Sequence, residues 1–285
     1  MFDVAPDRER IARALAALLG LTAKNAELRR LGGGLGHVSY LVTLAEQSYV
    51  LRLKADSAGP TLELEEEYAL LGAVAAAGIT PEPLRKDTGT RAMLISFVPR
   101  AQSLTEAAAR EPVNVARIAE LLRRLHGIRV ALRNFEPLRH AEDYFAAAAR
   151  QTPLAPSEQR LASELRTRAV DYVSRYPPSA VCHNDLVAAN VLEARDLLLV
   201  DFEYAARAAP ILDLASLAAM NDFTDDDRRK LLHAYYASSN APVSPAELAD
   251  VVRMVRLMAF FWARALPEEL RAQNARYLSL LESAG

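Results

Sequence analysis

Between residues 181 and 192 the chain reads Val181-Cys182-His183-Asn184-Asp185-Leu186-Val187-Ala188-Ala189-Asn190-Val191-Leu192. This is the pattern H-x-D-x-x-x-x-N, framed on both sides by apolar residues. Asp201 stands eleven residues past Asn190, at the end of a second apolar run, Leu197 to Val200. Apolar runs this short, bounded by turn-forming residues, read as buried strands. Ala180 to Cys182 is one, and Val191-Leu192 with Leu197 to Val200 reads as a hairpin turning at Glu193 to Asp196. Asn and Asp singly serve as turn and cap residues. That bland role does not account for their spacing and apolar framing together. The polar loop must be fixed on a core, and that limits what the rest of the chain can build around it.

On either side of this island the texture changes. Pro6 to Leu19 places Ile11, Leu15, Leu18 and Leu19 at helical spacing, and Gly20 ends the run. Leu41 to Leu53 reads as two strands joined at Ala45-Glu46-Gln47, and Arg91 to Val98 as another, stopped by Pro99. The acidic run Glu63 to Glu67 leads into an apolar helix that ends near Gly78. Beyond Pro99 the chain is mainly helical. Val115 to His126 carries Ile118, Leu121, Leu122 and Leu125 on one face, and a further helix opens at Pro156-Ser157. Thr224 caps one helix, with three aspartates in its first turn, and Ser244-Pro245-Ala246-Glu247 is a capping box. The expectation is an α+β fold, with a small β-rich lobe over residues 1–98 and a larger helical lobe over residues 99–285.

Composition narrows the function classes. The 34 basic and 36 acidic residues leave a net charge of −2, without the basic excess that nucleic-acid binding needs. The longest apolar run, Tyr68 to Ile79, has twelve residues against the roughly 18–20 of a membrane span. The acidic N-terminus lacks the apolar core of a signal peptide. Cys182 is the single cysteine, and on its apolar strand it reads as a small buried hydrophobe. A cytoplasmic, soluble protein with no nucleic-acid or membrane partner is expected. No G-x-S-x-G points to a serine hydrolase, and no close Cys/His spacing points to zinc.

Four of the eleven glycines fall at Gly32, Gly33, Gly34 and Gly36, where a flexible turn and a backbone cradle for phosphate are both open readings. Arg52 follows in a strand, and Lys54 shares its face if the strand extends that far. One glutamate of the 63–67 run pairs with Arg52, while the others form a solvated face near a helix N-terminus. Asp185, Asn190 and Asp201 are the residue types that phosphoryl transfer requires: one carboxylate to orient a hydroxyl, an amide and a second carboxylate to hold Mg²⁺.

With these residues assembled, the chain from about Leu31 to Tyr236 resembles the aminoglycoside phosphotransferase and choline kinase family, whose fold is protein-kinase-like. The pairing of Cys182-His183-Asn184-Asp185 with Asp201-Phe202-Glu203-Tyr204-Ala205 is most similar to the choline and ethanolamine kinase branch, as is Arg52 where many kinases have lysine. Ile211-Leu212-Asp213-Leu214-Ala215 resembles the segment after the family's metal motif. The resemblance implies a kinase using ATP and Mg²⁺ on the hydroxyl of a small molecule such as choline or ethanolamine. It implies Asp185 as the catalytic carboxylate, His183 as support for its loop, Asn190 and Asp201 as metal ligands, and Glu203 as support for the metal. Glu67 is the expected partner of Arg52. The backbone at Ser96 and Val98 would meet adenine in a hinge between lobes. Tyr204 and Trp262 are candidates for a wall around a cationic acceptor, while Phe260 and Phe261 on the same helix read equally as core. Two positions depart from the branch: Gly36-His37 where Thr-Asn is frequent, and Met220 where choline kinases commonly have glutamate. Thiamine, an aminoglycoside or a sugar are the alternative acceptors, and a non-catalytic pseudokinase is the alternative class. The oligomeric state is left open.

Overall fold

The computed structural model describes residues 5–20, 26–32, 36–55, 61–237, 242–279 and 281. They divide into two compact units, residues 1–102 with 192–204, and residues 103–191 with 205–285.

The first unit is built on a five-stranded antiparallel sheet. Its strands are β1 (Glu27–Gly32), β2 (His37–Leu44), β3 (Gln47–Lys54), β4 (Pro83–Asp87) and β5 (Ala92–Ser96), in the order β1-β2-β3-β5-β4. Side chains two apart on a strand share a face. Tyr40, Val42, Leu51, Leu53, Ala92 and Leu94 therefore form one apolar surface, covered by Ile11, Ala14, Leu15 and Leu18 of helix α1 (Ala5–Leu19). Gly20, at φ 68°, ends that helix in the left-handed region. β3 runs through Lys54, so Arg52 and Lys54 lie on the face opposite Leu51 and Leu53. Helix α2 (Leu64–Ala76) buries Leu64, Glu67, Leu70, Leu71 and Val74. The segment that ends in Asp201 is tied to this unit where the Leu199 N–H donates to Ile79 O at 2.7 Å.

The second unit is helical: α3 (Glu106–Arg110), α4 (Pro112–His126), α5 (Pro137–Gln151), α6 (Pro156–Arg175), α7 (Ile211–Met220), α8 (Asp225–Tyr236), α9 (Pro245–Ala265), α10 (Glu268–Gln273) and α11 (Ala275–Ser279). The Thr224 and Ser244 hydroxyls accept from the N–H groups of Asp227 and Glu247, at 3.2 Å each, as the capping patterns predict. α9 packs against α5, α6, α7 and α11, and every residue of α7 is buried. The periodicity argument has no purchase on α7, because a helix enclosed on all sides has no polar face to generate a period. Ala180–Cys182 pairs antiparallel with Ala206–Ala208 and leads directly into His183. No helix among the described residues is long and apolar enough to cross a membrane.

Candidate active site

In the second unit, the loop from His183 to Asn190 is held from beneath by α7 and the residue that follows it. Asp213, fully buried, accepts the N–H of His183 on Oδ2 and that of Asn184 on Oδ1, both at 2.8 Å. Ser216 Oγ accepts the N–H of Leu186 at 3.0 Å. Asn221 Oδ1 accepts the N–H of Ala188 at 2.7 Å, and its Nδ2 donates to Leu186 O at 3.0 Å. Three side chains thus satisfy four loop N–H groups that would otherwise be costly to leave unpaired in a buried place. Asn184 takes φ 65°, a left-handed conformation that asparagine tolerates better than most residues.

Asp213 is itself braced. Burial alone would raise its pKa, but the hydrogen bond and charge of His126, the His183 ring and the Asn184 N–H outweigh it and hold the carboxyl below its ordinary value. His126 Nε2 lies 3.0 Å from Asp213 Oδ2 and Nδ1 lies 2.7 Å from the Tyr235 hydroxyl. Since the carboxylate can only accept, Nε2 donates to it, and Nδ1 pairs with the Tyr235 hydroxyl. His126 reads from sequence as a packing or capping residue; it is a link between α4, α7 and α8 beneath the loop.

Above this support stands Asp185, half-buried. Its N–H donates to His183 Nδ1 at 3.3 Å, and Asn190 Nδ2 donates to its carbonyl at 2.9 Å and its carboxylate at 3.2 Å. The sequence motif therefore closes on itself through its own hydrogen bonds. Two tyrosines lie within reach of its charge. Burial and then the Asp185 charge push up the pKa of Tyr144 and of Tyr277. Trp262 meets Tyr277 edge to face, ring centres 5.3 Å apart at 82°. Phe261, one residue before Trp262, is fully buried against Phe145. The sequence points to Trp262 but not to Tyr144.

In the first unit the charged residues converge. Arg52 Nη1 donates to Glu67 Oε1 at 2.5 Å and Nη2 to Asp201 Oδ1 at 2.6 Å. The neighbouring glutamates are engaged elsewhere: Glu65 by Thr88 and Lys86, and Glu66 by the N–H of Glu63. Lys54 donates to Leu62 O and lies 3.9 Å from Glu67. Burial disfavours the Arg52 charge, yet Glu67, Asp201 and Glu203 more than compensate and keep it protonated. Asp201 has φ 69°, a strained conformation for a residue with a side chain. His37 completes the group: its Nδ1 accepts from Arg52 Nη2 at 3.0 Å and lies 3.7 Å from Asp201 Oδ1 and 3.6 Å from Glu203 Oε2. In the sequence, His37 stands out only as a departure from the family's pattern.

The other expected residues fall as follows. Gly32 closes β1 opposite Ser39, while Gly33 and Gly34 lie outside the described residues. Gly36 sits against Glu203, and an added Cβ would stand 2.6 Å from the carboxylate carbon. Gly36→Ala is accordingly expected to cost about 1–3 kcal/mol through overpacking, read as a lower melting temperature. Adding Glu203→Ala should restore the melting temperature; if it does not, this contact is not the reason for the glycine. Ser96 donates its N–H to Glu82 O at 2.8 Å, and Val98 O accepts from Ala101 at 3.3 Å. Tyr204 is half-buried in the first unit, next to Glu203.

A small antiparallel-sheet unit and a larger helical unit, carrying this loop and this charged cluster, define a kinase-like phosphotransferase. The model of the phosphotransferase enzyme family matches residues 27–250, and the chain belongs to that family as a small-molecule phosphotransferase. Its fold is that of choline kinase LicA from Streptococcus pneumoniae, at 18% identity over 96% of this chain and 98% of that one, with a TM-score of 0.79. A choline/ethanolamine kinase family protein from Mesorhizobium loti shares 23% identity over 97% and 91% of the two chains, with a TM-score of 0.74. A spectinomycin phosphotransferase, solved with ADP and spectinomycin, shares 15% over 96% and 92%, with a TM-score of 0.63. No curated protein matches the sequence.

Proposed function

We propose that the chain transfers the terminal phosphoryl group of ATP to the hydroxyl of a small amino alcohol of the choline or ethanolamine kind. The observation that carries this reading is the set of aromatic rings at Asp185. Tyr144 and Tyr277 lie within reach of its charge, and Trp262 stands against Tyr277. A quaternary ammonium has no N–H to donate, so ring faces and a nearby carboxylate are what can recognise it. The choline and ethanolamine kinases among the structural neighbours support the same choice.

Asp185 accepts the acceptor's hydroxyl hydrogen bond and draws off its proton as the phosphoryl group arrives, while His183 and Asn190 keep the carboxylate oriented. Arg52 neutralises the phosphates beneath the glycines at 32–36, and the backbone near Ser96 and Val98 receives adenine. Tyr204 contributes to the acceptor side. Asn190, Asp201 and Glu203 are the proposed holders of Mg²⁺. The donor set fits a divalent cation: Glu203 is buried, and its Oε2 has no hydrogen-bond partner. When bound, the ion supplies neutralisation of the charge that develops on the transferred phosphoryl oxygens.

The test is ADP release over a panel of choline, ethanolamine, thiamine, aminoglycosides and sugars. Choline or ethanolamine should be turned over and should quench Trp262 fluorescence. Trp262→Leu should raise the acceptor KM by an amount worth about 1–2 kcal/mol, with little change in the KM for ATP. Turnover of thiamine or an aminoglycoside with none of either amino alcohol overturns the acceptor assignment and leaves the phosphotransferase standing. No ADP release with any acceptor favours a protein that binds nucleotide without turnover.

A further inference from the structure

Three donor atoms in the first unit, His37 Nδ1, Asp201 Oδ1 and Glu203 Oε2, lie within 4.8 Å of one another, and all three residues are largely enclosed. A cation already stands among them. Arg52 Nη2 is 2.6 Å from Asp201 Oδ1, 3.0 Å from His37 Nδ1 and 3.7 Å from Glu203 Oε2. Because a guanidinium can only donate, the His37 lone pair on Nδ1 points at the same place as the two carboxylates. Glu203 Oε2 has no hydrogen bond, so this charge faces a position that Arg52 fills only in part. Nη1, the other arm of the same planar group, is held by Glu67 at 2.5 Å, so an ion enters this position when the guanidinium moves as a whole.

We infer that Arg52 Nη2 marks the position of the divalent cation and that His37 Nδ1 is one of its ligands, beside Asp201 and Glu203. The inference rests on the proposed metal site and adds a nitrogen donor to it. Separations of 3.6 and 3.7 Å between the nitrogen and the two oxygens suit donors grouped about one small ion at the usual distances of roughly 2.0–2.2 Å. The added imidazole has a chemical consequence. Mg²⁺ is a hard ion that favours oxygen, whereas imidazole suits first-row transition cations. A site with His37 in it binds Mn²⁺ more tightly than the two carboxylates alone, and gains less for Mg²⁺.

The experiment uses the full chain stripped of metal, with Mn²⁺ alone as the probe. Pulsed electron paramagnetic resonance of bound Mn²⁺ should show coupling to a directly ligated ¹⁴N. The coupling should vanish in both His37→Ala and His37→Asn, the latter keeping a polar side chain beside Arg52. Calorimetric titration should show Mn²⁺ affinity falling at least about tenfold in both variants, and Mg²⁺ affinity falling less. Bound Mn²⁺ without ¹⁴N coupling, or coupling that survives both substitutions, overturns the role of His37 while leaving the carboxylate site intact. Failure of Mn²⁺ to bind the parent chain at all overturns both the cation site and the inference built on it.

Discussion

Replacing Asp185 with alanine is expected to lower turnover at least about a hundredfold while nucleotide affinity stays within a few-fold of the parent. The two effects separate because the residues proposed for the nucleotide, Arg52 and Glu67 with the glycines, belong to the first unit, whereas Asp185 belongs to the second. The carboxylate is oriented from two sides, by Asn190 at 3.2 Å and through its own N–H on His183 at 3.3 Å. Placing the reacting group in this way is worth more than ordinary binding contacts, because the interaction matters most as the hydroxyl loses its proton. Asp185→Asn is the sharper control, since an amide preserves the size and an acceptor oxygen but cannot take the proton. Steady-state kinetics with a saturating acceptor, and nucleotide binding by calorimetry, separate the two quantities. Turnover by Asp185→Ala within about tenfold of the parent would remove this residue from the chemistry.

How much of this could be read in advance depends on the kind of signal. Asp185, Asn190 and Asp201 were legible because their spacing lies within one stretch of chain, framed by apolar strands. Arg52 and Lys54 were legible as neighbours on a face because strand geometry fixes that alternation. Glu67 was one choice among four glutamates, and the pair it forms with Arg52 depends on which side of α2 faces the sheet. The supports of the loop were hidden for a different reason. Asp213, Ser216 and Asn221 bond to backbone groups some thirty residues earlier, and no local pattern announces a partner at that separation. The one available hint was Asp213 itself, a carboxylate within Ile211-Leu212-Asp213-Leu214-Ala215, where every neighbour is apolar. A charge in such a stretch is costly unless bonded, so it signals a buried anchor. His37 carried no such hint, because its value comes from a sheet that brings it to Asp201 and Glu203 across more than 160 positions of sequence. Trp262 and Phe261 show the limit of composition: adjacent on α9, one is wholly buried in the core while the other stands half-exposed against Tyr277.

The anchor leads to the second large effect, in which stability and catalysis fail together. Asp213→Ala strips the N–H groups of His183 and Asn184 of their acceptor and leaves His126 without its carboxylate, all in a fully buried place. Removing one partner of such a buried set costs about 3–5 kcal/mol, and the melting temperature should fall by roughly 10 °C. Asp213→Asn keeps the volume but offers one acceptor oxygen where two are needed, so it should lose a large part of the same stability. Its value is in the pH dependence. The Asp213 carboxyl titrates below its ordinary value when folded, so its contribution to stability is fully present above the unfolded pKa of about 3.9 and disappears as the pH falls through the lower folded value. Urea unfolding of the parent and Asp213→Asn at pH 7, 5, 4 and 3 should give a constant stability gap down to about pH 4, narrowing in more acid solution. Activity measured on the fraction still folded supplies the other half of the argument. A residue that only packs would leave kcat unchanged once folding is corrected for, whereas one that positions the loop should lower kcat and leave the KM for ATP nearly constant. A gap that is unaltered at pH 3, or a folded-fraction kcat equal to the parent's, shows that the Asp213 charge does not hold Asp185 in place.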